Sequence, residues 1–570
     1  MPGRQRLAPV VPPARRPARL SALVLVLHAA ACTERSGPGE AGERPLFREI
    51  SPGCGVDVKL VNGATGLHFL VETMIGGIGW IDHDGDGDYD LYVANGHESP
   101  AQAAELGKSG NRLYANDGSG RFTDVTAKAR VGDRRYSNGV AVGDYDGDGD
   151  SDLLVTNFGR NTLYRNGGDG TFEDVTVAAG ITREGYNMSA VWFDFDHDGD
   201  LDLYITRYLD YRPSTARPCR SGDKPVYCHP RYFSGLPDLL YENRGSSFVE
   251  IGRRAGIARS GPHEGKGLGV IAADLDRDGW TDLYVANDTT PNFLWRNRGD
   301  GSFEDIAPAL GVALNENGAT QAGMGVDWGD VNGDGLPDIH VTNYSGEMNN
   351  LYVALGGGGF LDSVGRAGLE GSFPLLGFGT LLADFDLDGD LDIVVANGHV
   401  NDLAGERGAG TGITYEQSPA LYLNDGAGEF REGGARAGPF FRQRRVGRGL
   451  ASADIDGDGD LDLAVSSLDR PLAILRNEAS GNALQVTLVG TKSPRDGYGA
   501  RLEIEIGSTK RVVEYQSARS YLSAVDPRVV VGLGAARRID RLTVRWSSGV
   551  VQVLEGVEAG RITIEEKMEE

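Results

Sequence analysis

One nine-residue pattern recurs seven times and limits what this chain can fold into more than any other feature. Its form is Asp-x-Asp/Asn-x-Asp-Gly-x-x-Asp, followed by Leu or Ile. The copies place carboxylates or amides at Asp82, Asp84, Asp86 and Asp90; Asp144, Asp146, Asp148 and Asp152; Asp194, Asp196, Asp198 and Asp202; Asp274, Asp276, Asp278 and Asp282; Asp330, Asn332, Asp334 and Asp338; Asp384, Asp386, Asp388 and Asp392; and Asp454, Asp456, Asp458 and Asp462. A small residue stands five positions before each copy, from Gly77 to Gly449. A β-rich run follows each one, as in Leu91-Tyr92-Val93. A second strand signal, a Gly-rich turn and a Phe-x-acid element complete the unit, the last at Phe47, Phe122, Phe172, Phe248, Phe303, Phe360 and Phe430. Self-similarity at this period marks a repeat architecture.

Seven units of about four short strands predict an all-β fold, a seven-bladed β-propeller over residues 46–480, which protects sheet edges by radial repetition. Phe47 precedes every Asp loop, and the last unit lacks a following Phe element. One strand from each chain end is therefore expected to share a blade and close the ring. Two longer spacings hold inserts, residues 208–235 and 399–417, of the kind in which a propeller carries specificity.

The loops read as calcium sites. Ca²⁺ takes six to eight oxygen ligands, and alternating aspartates at positions one, three and five supply three carboxylates around one centre. Glycine at six allows the sharp turn, position seven offers a backbone carbonyl, and Asp at nine closes the site. An EF-hand places its last ligand at twelve, on a helix; here it falls at nine, before a strand. Mg²⁺ suits the loops less because it retains its waters. Arg277 in the fourth loop and Asn332 in the fifth predict the weakest sites. Formal net charge is −26, yet the loops alone hold 32 aspartates, so the acidity is a set of metal sites and not a diffuse field. Such a chain has no basic footprint for nucleic acid.

The N-terminus reads as an export signal: Arg4, Arg6, Arg15, Arg16 and Arg19, an apolar run from Leu20, then Ala29-Ala30-Ala31 before Cys32. Residues 1–32 form the signal and residues 33–45 a flexible tether. Cleavage before a lipid-modified Cys32, giving a surface or outer-membrane lipoprotein, and ordinary secretion are both open; the only expected membrane link is that lipid. Export permits disulfides. Cys219 and Cys228, nine apart in a Pro- and Arg-rich insert, are candidates for a local bridge, with a zinc pair as the competing reading. Cys54 is left over.

Residues 481–566 alternate apolar and polar, as in Leu484, Val486, Leu488 and Leu542, Val544, Trp546, and predict a small β-sandwich; 567–570 form a tail. Lys492, Arg495, Asp496, Arg519, Tyr521, Asp526 and Arg528 fall in turn-like segments, either as a ligand site or as turn and interdomain hydrogen bonds.

On the Asp loops, the repeats resemble the FG-GAP/VCBS family, propellers also found in integrin α subunits. Residues 490–501, Ser520-Tyr521-Leu522-Ser523 and Val544-Arg545-Trp546 resemble the ASPIC/UnbV domain. The combination is the layout of the cartilage acidic protein family and its bacterial relatives. The resemblance implies a secreted calcium-binding protein with no defined activity. Neither G-x-S-x-G nor H-E-x-x-H occurs. Asn95-Gly96-His97 and Asn397-Gly398-His399 recur as rim turns. Two functions compete: a non-enzymatic binding or adhesion module for protein or glycan ligands, and an extracellular polysaccharide lyase or hydrolase.

Overall fold

The computed structural model describes residues 44–567 except Pro52, Arg217, residues 403 and 405–410, and Ser508. The export signal, Cys32 and most of the tether lie outside the described residues, as do the last three residues of the tail. No helix among the described residues is long and apolar enough to cross a membrane.

The fold is all-β. Seven four-stranded antiparallel units follow one another along the chain; the second and third join into one eight-stranded sheet where Glu184–Tyr186 pairs with Phe158–Arg160, and the first is extended to six strands by Ala518–Arg519 and Ser523–Ala524. Their first strands are Ile78–Ile81, Tyr136–Gly143, Glu184–Phe193, Gly267–Ala273, Val326–Gly329, Gly377–Ala383 and Gly447–Ala453. In each sheet the Asp loop leads to a second strand that starts on the position-nine aspartate. A third strand comes next, and the Phe-x-acid element forms the fourth. In the seventh sheet the fourth strand is Phe47–Glu49 from the N-terminus, paired antiparallel with Ala473–Asn477. The two ends of the repeat region therefore close one sheet, as the displaced Phe element predicts.

The first strands are buried along nearly their whole length because each packs beside the first strand of the next sheet, and the seventh beside the first. The recurrent small residue follows from this approach. A Cβ on Gly325 would lie 2.1 Å from the Phe378 carbonyl oxygen, and one on Gly449 would lie 2.0 Å from that of Gly76. Trp80, Trp192 and Trp295 are among the largest fully buried side chains and fill the space between sheets.

A second set of contacts fastens the sheets in order. The third strand ends in Asn116, Asn166, Asn243, Asn297, Asn424 or Asn477 in six of the seven units. Each Asn donates from Nδ2 to the position-two carbonyl of the preceding unit's Asp loop, at 2.7–3.1 Å: Ile455, His83, Tyr145, Phe195, Val331 and Phe385 in turn. Asn116 of the first unit reaches the seventh. The fifth unit has Ala354 at this place and lacks the bond.

Residues 482–565 form the expected sandwich. Asn482–Val489 lies between Val529–Gly534 and Gly560–Glu565 in one sheet. Arg501–Ile506, Thr509–Glu514, Arg541–Arg545 and Val551–Glu555 make the other. Residues 516–526 depart from a self-contained sandwich and run among the first strands of the seven sheets. Ser520 exchanges both backbone hydrogen bonds with Val326, and its Oγ accepts the Thr380 N–H. Leu522 accepts from Val140 N–H and donates to Ser189 Oγ. Ser523 Oγ accepts from Ile78, Asp526 N–H donates to the Ser452 carbonyl, and Ala518 packs with Val270 and Ala272. All seven first strands thus touch this one segment. Tyr521, fully buried, donates to the Met74 carbonyl at 3.0 Å.

Cys219 and Cys228 form a disulfide with Cα atoms 5.0 Å apart, which excludes a zinc pair there. The insert they staple reaches inward through Tyr227, whose hydroxyl donates to Glu72 Oε2 at 2.8 Å. Cys54 is a buried free thiol.

Phe47 is wholly buried, so Phe47→Ala is expected to cost about 3–5 kcal/mol in denaturant unfolding. Val249→Ala, on a half-exposed side chain of another fourth strand, is expected to stay within about 0.5 kcal/mol. Asn297→Ala strands the Phe195 carbonyl and is expected to cost about 1–3 kcal/mol. Ala354→Asn installs the missing amide and is expected to stabilise the chain by about 1 kcal/mol.

Candidate metal centres at the aspartate loops

Position nine is the structural pivot of each loop. Its carboxylate is buried in all seven copies, at 0–1% exposure. Oδ2 accepts the N–H of the position-two residue at 2.9–3.2 Å. Oδ1 accepts the N–H of the residue that ends the third strand at 2.7–3.0 Å. One side chain therefore ties the start of its loop to a strand two elements away.

Positions one and five shape the turn. The first aspartate accepts the N–H of the glycine at six, as in Gly87 to Asp82 at 3.0 Å, Gly149 to Asp144 at 2.8 Å and Gly335 to Asp330 at 2.8 Å. The fifth accepts the N–H of position seven, as in Asp88 to Asp86 and Leu336 to Asp334. In Asp82, Asp144, Asp330 and Asp454 both carboxylate oxygens accept backbone N–H groups of the turn. Oδ1 of Asp194, Asp274 and Asp384 at position one, and of Asp146, Asp196, Asp386 and Asp456 at position three, is buried with no hydrogen-bond partner.

The carboxylates of the loops converge, partnered and unpartnered oxygens together. Asp144, Asp146 and Asp152 place ligand atoms within 4.8 Å of one another, and so do Asp194, Asp196 and Asp202, and Asp274, Asp276 and Asp282. In the first loop Asp82, Asp84 and Asp86 form one such set, and Asp84 and Asp90 form another with His83. Arg277 is exposed and leaves the fourth loop's carboxylate cluster intact. Asn332 differs: its Oδ1 accepts the Asp334 N–H at 3.0 Å and its Nδ2 donates to Asp334 Oδ2, so its oxygen is already engaged.

Burial, reinforced by the neighbouring carboxylates, pushes these acids up. Asp144 rises to about 7, Asp152 to about 9, Asp194 to about 7, Asp202 to about 9, Asp384 to about 7 and Asp392 to about 9. Burial disfavours the charged form of these acids, and oxygens of this type are the ligands that a hard cation takes. The donor set is all oxygen, from positions one, three, five and nine with the position-seven carbonyl available.

Several groups that the repeat does not contain approach the loops. Arg436 pairs with Asp386 at 2.8 Å and Arg476 with Asp456 at 3.2 Å. The C-terminal sandwich sits directly on four of them. Asp144 N–H donates to Asp496 Oδ2 at 2.6 Å, Asp274 N–H donates to Glu514, Asp384 Oδ2 accepts from Gly532 N–H at 2.8 Å, and Asp454 Oδ2 pairs with Arg561 at 2.9 Å. Of the polar turn residues in the tail domain, Arg519 pairs with Asp327 at 3.0 Å. Arg528 pairs with Asp526 and lies 4.5 Å over the Tyr89 ring. With Asp496 and Tyr521 these are interdomain contacts. Arg495 closes its own turn on the Gly490 carbonyl. His97 and His399 are buried, edge-on to Tyr136 and Tyr344.

Comparison with known proteins agrees with the repeat and the tail. A model of FG-GAP-like repeats matches residues 82–155, 144–205, 274–341, 330–395 and 384–465. A model of ASPIC and UnbV matches residues 490–570. Cartilage acidic protein 1 of Xenopus tropicalis is 29% identical over 294 residues, covering 50% of this chain and 42% of that protein. The Homo sapiens protein of that name is 28% identical over 313 residues, covering 53% and 43%. The matches thus span less than half the length of these relatives. Among solved structures, an Agrocybe aegerita lectin that recognises non-reducing terminal N-acetylglucosamine aligns with TM-score 0.38 and 16% identity over 70% of this chain and 86% of that one. BP39L lectin from Burkholderia pseudomallei aligns with TM-score 0.39 and 9% identity over 72% and 98%. The chain belongs to the FG-GAP-like repeat family and carries a C-terminal ASPIC and UnbV domain.

Proposed function

We propose that this chain is an exported seven-bladed β-propeller whose Asp loops bind Ca²⁺, and that it serves as a non-enzymatic binding module for protein or glycan ligands. The observation that carries the calcium reading is the set of buried carboxylate oxygens without partners at positions one and three. Leaving such acceptors dry is costly, and an oxygen-seeking divalent cation satisfies several at once. The seven four-stranded units, packed first strand to first strand, support the propeller reading. The Asp loops lie at one end of the sheets under the sandwich. The second-to-third-strand connections, including the disulfide-stapled insert at 208–235, emerge at the opposite end. Inserted connections at one end and a cleft between loops and sandwich at the other both leave surface for ligands, which supports a binding role.

Ca²⁺ at tenfold its dissociation constant adds about 1.4 kcal/mol per site, so seven sites amount to roughly 10 kcal/mol, comparable with the stability of a whole domain. The pH dependence has a defined sign. In the metal-free fold Asp144, Asp152, Asp202 and Asp392 are raised to about 7, 9, 9 and 9. In the unfolded chain they titrate near pH ~4. The native state then holds more protons, so this contribution is complete below pH ~4 and is lost as pH rises through about 7 to 9. The melting temperature of metal-free protein is therefore expected to fall from pH 5 to pH 8, and saturating Ca²⁺ to raise it more at pH 8. A melting temperature indifferent to both would contradict the calcium reading.

The binding reading is tested by displaying the calcium-loaded chain on glycan and extracellular-protein arrays beside a polysaccharide-cleavage assay. Saturable capture without cleavage is expected. Cleavage that is lost when residues 208–235 are altered would overturn it.

A further inference from the structure

A cavity of about 700 Å³ opens between the fourth Asp loop and the C-terminal sandwich, a size that suits a small ligand. Its propeller wall carries Trp280 and His197, whose rings stack with centroids 4.0 Å apart and 9° between planes. Neither side chain is explained by the loop chemistry. Trp280 occupies position seven, where a metal needs only the carbonyl and where five of the other loops have Asp. His197 occupies position four of the third loop, a left-handed position (φ 60°) filled by glycine in four of the seven loops. Arg277 stands at the same place in the fourth loop, also left-handed (φ 65°), and lines the same cavity. Left-handed non-glycine residues cluster at ligand sites; the third such residue at this position, Leu387 of the sixth loop, lies outside the cavity. Here two from adjacent loops converge on one cleft.

The sandwich wall supplies hydrogen-bond donors in excess. Arg545 and Arg501 share a single carboxylate, Glu503, at 2.9 and 3.7 Å. Arg501 Nε and Ser547 Oγ are buried without hydrogen-bond partners. Arg277 has no ion pair among the described residues. The cavity's remaining acids are engaged elsewhere: Asp274 belongs to the fourth loop's carboxylate cluster, Asp278 accepts the Trp280 N–H, and Glu514 accepts the Asp274 N–H. A ligand that satisfies this wall brings an anionic group for the guanidinium forks and a flat C–H face for the aromatic pair.

We propose that this cleft binds an acidic saccharide, its carboxylate or sulfate held by Arg277, Arg501 and Ser547 and a sugar ring lying against the Trp280–His197 stack. The inference deepens the binding-module reading and rests on it.

The test is isothermal titration of the full calcium-loaded chain with three oligosaccharides of matched length: an oligogalacturonate, a sulfated galactan and a neutral galactan. At least one acidic ligand is expected to bind tenfold or more tighter than the neutral one, and the two acidic arms separate carboxylate from sulfate. Trp280→Ala and Arg277→Gly are each expected to weaken that binding at least tenfold. Arg277→Gly relieves the left-handed strain, so the melting temperature of this variant holds or rises and its loss of binding is not a folding defect. Equal binding of neutral and acidic ligands, or acidic binding that both variants retain, overturns the site and leaves the binding module standing. Failure of both acidic ligands to bind, with other glycans still captured on the array, also overturns the site alone. No capture on the array at all removes the glycan reading with it.

Discussion

The buried aspartate at position nine is the constraint on which the rest of the structure depends. It spends one oxygen on the start of its own loop and the other on the end of the third strand. The asparagine it anchors there reaches across to the neighbouring loop. Loop, strand and adjacent sheet are therefore fixed by two side chains, and the arrangement repeats around the molecule with a single gap at Ala354. Because the same aspartate stands beside those at positions one and three, whatever charge state the loop adopts is transmitted to the joints between sheets. In this fold the candidate metal site and the packing joint are the same object.

The C-terminal domain follows the same logic. It sits on the Asp loops through Asp496, Glu514, Gly532 and Arg561, and it sends residues 516–526 among the first strands of all seven sheets. Polar backbone buried there is satisfied by the strands it meets, as the paired Ser520 and Val326 show, in keeping with the cost of leaving such groups unpaired. The two parts of the chain thus share their least exposed surface, and unfolding of one exposes the interior of the other.

Much of this was legible in the sequence because the repeat writes its geometry directly. Glycine at six, alternating aspartates and the Phe-x-acid element give strand order and loop position, and the displaced Phe47 gives the closure of the last sheet. The spacing of Cys219 and Cys228 permits the bridge that forms. Other features were hidden for physical reasons. Asn166 and its equivalents look like ordinary strand-end residues, since their partners lie in the preceding unit, 83 residues away for His83. The segment around Tyr521 reads as a turn because its pairing partners are strands of distant units. Arg436 and Arg476 approach Asp386 and Asp456 from outside the motif. The converse also holds: Trp280, His197 and Arg277 stand in plain view at positions the motif leaves open, and only their convergence on one cleft sets them apart.

The central claim is that the seven loops are cation sites and not hydrogen-bonded turns. Its most direct test is the calcium content of the purified full chain after equilibrium dialysis against micromolar to millimolar Ca²⁺, measured by elemental analysis. The account predicts saturation near seven ions per chain, with the Asn332 loop filling last. A chain that saturates at none or one, while keeping its fold, would contradict it.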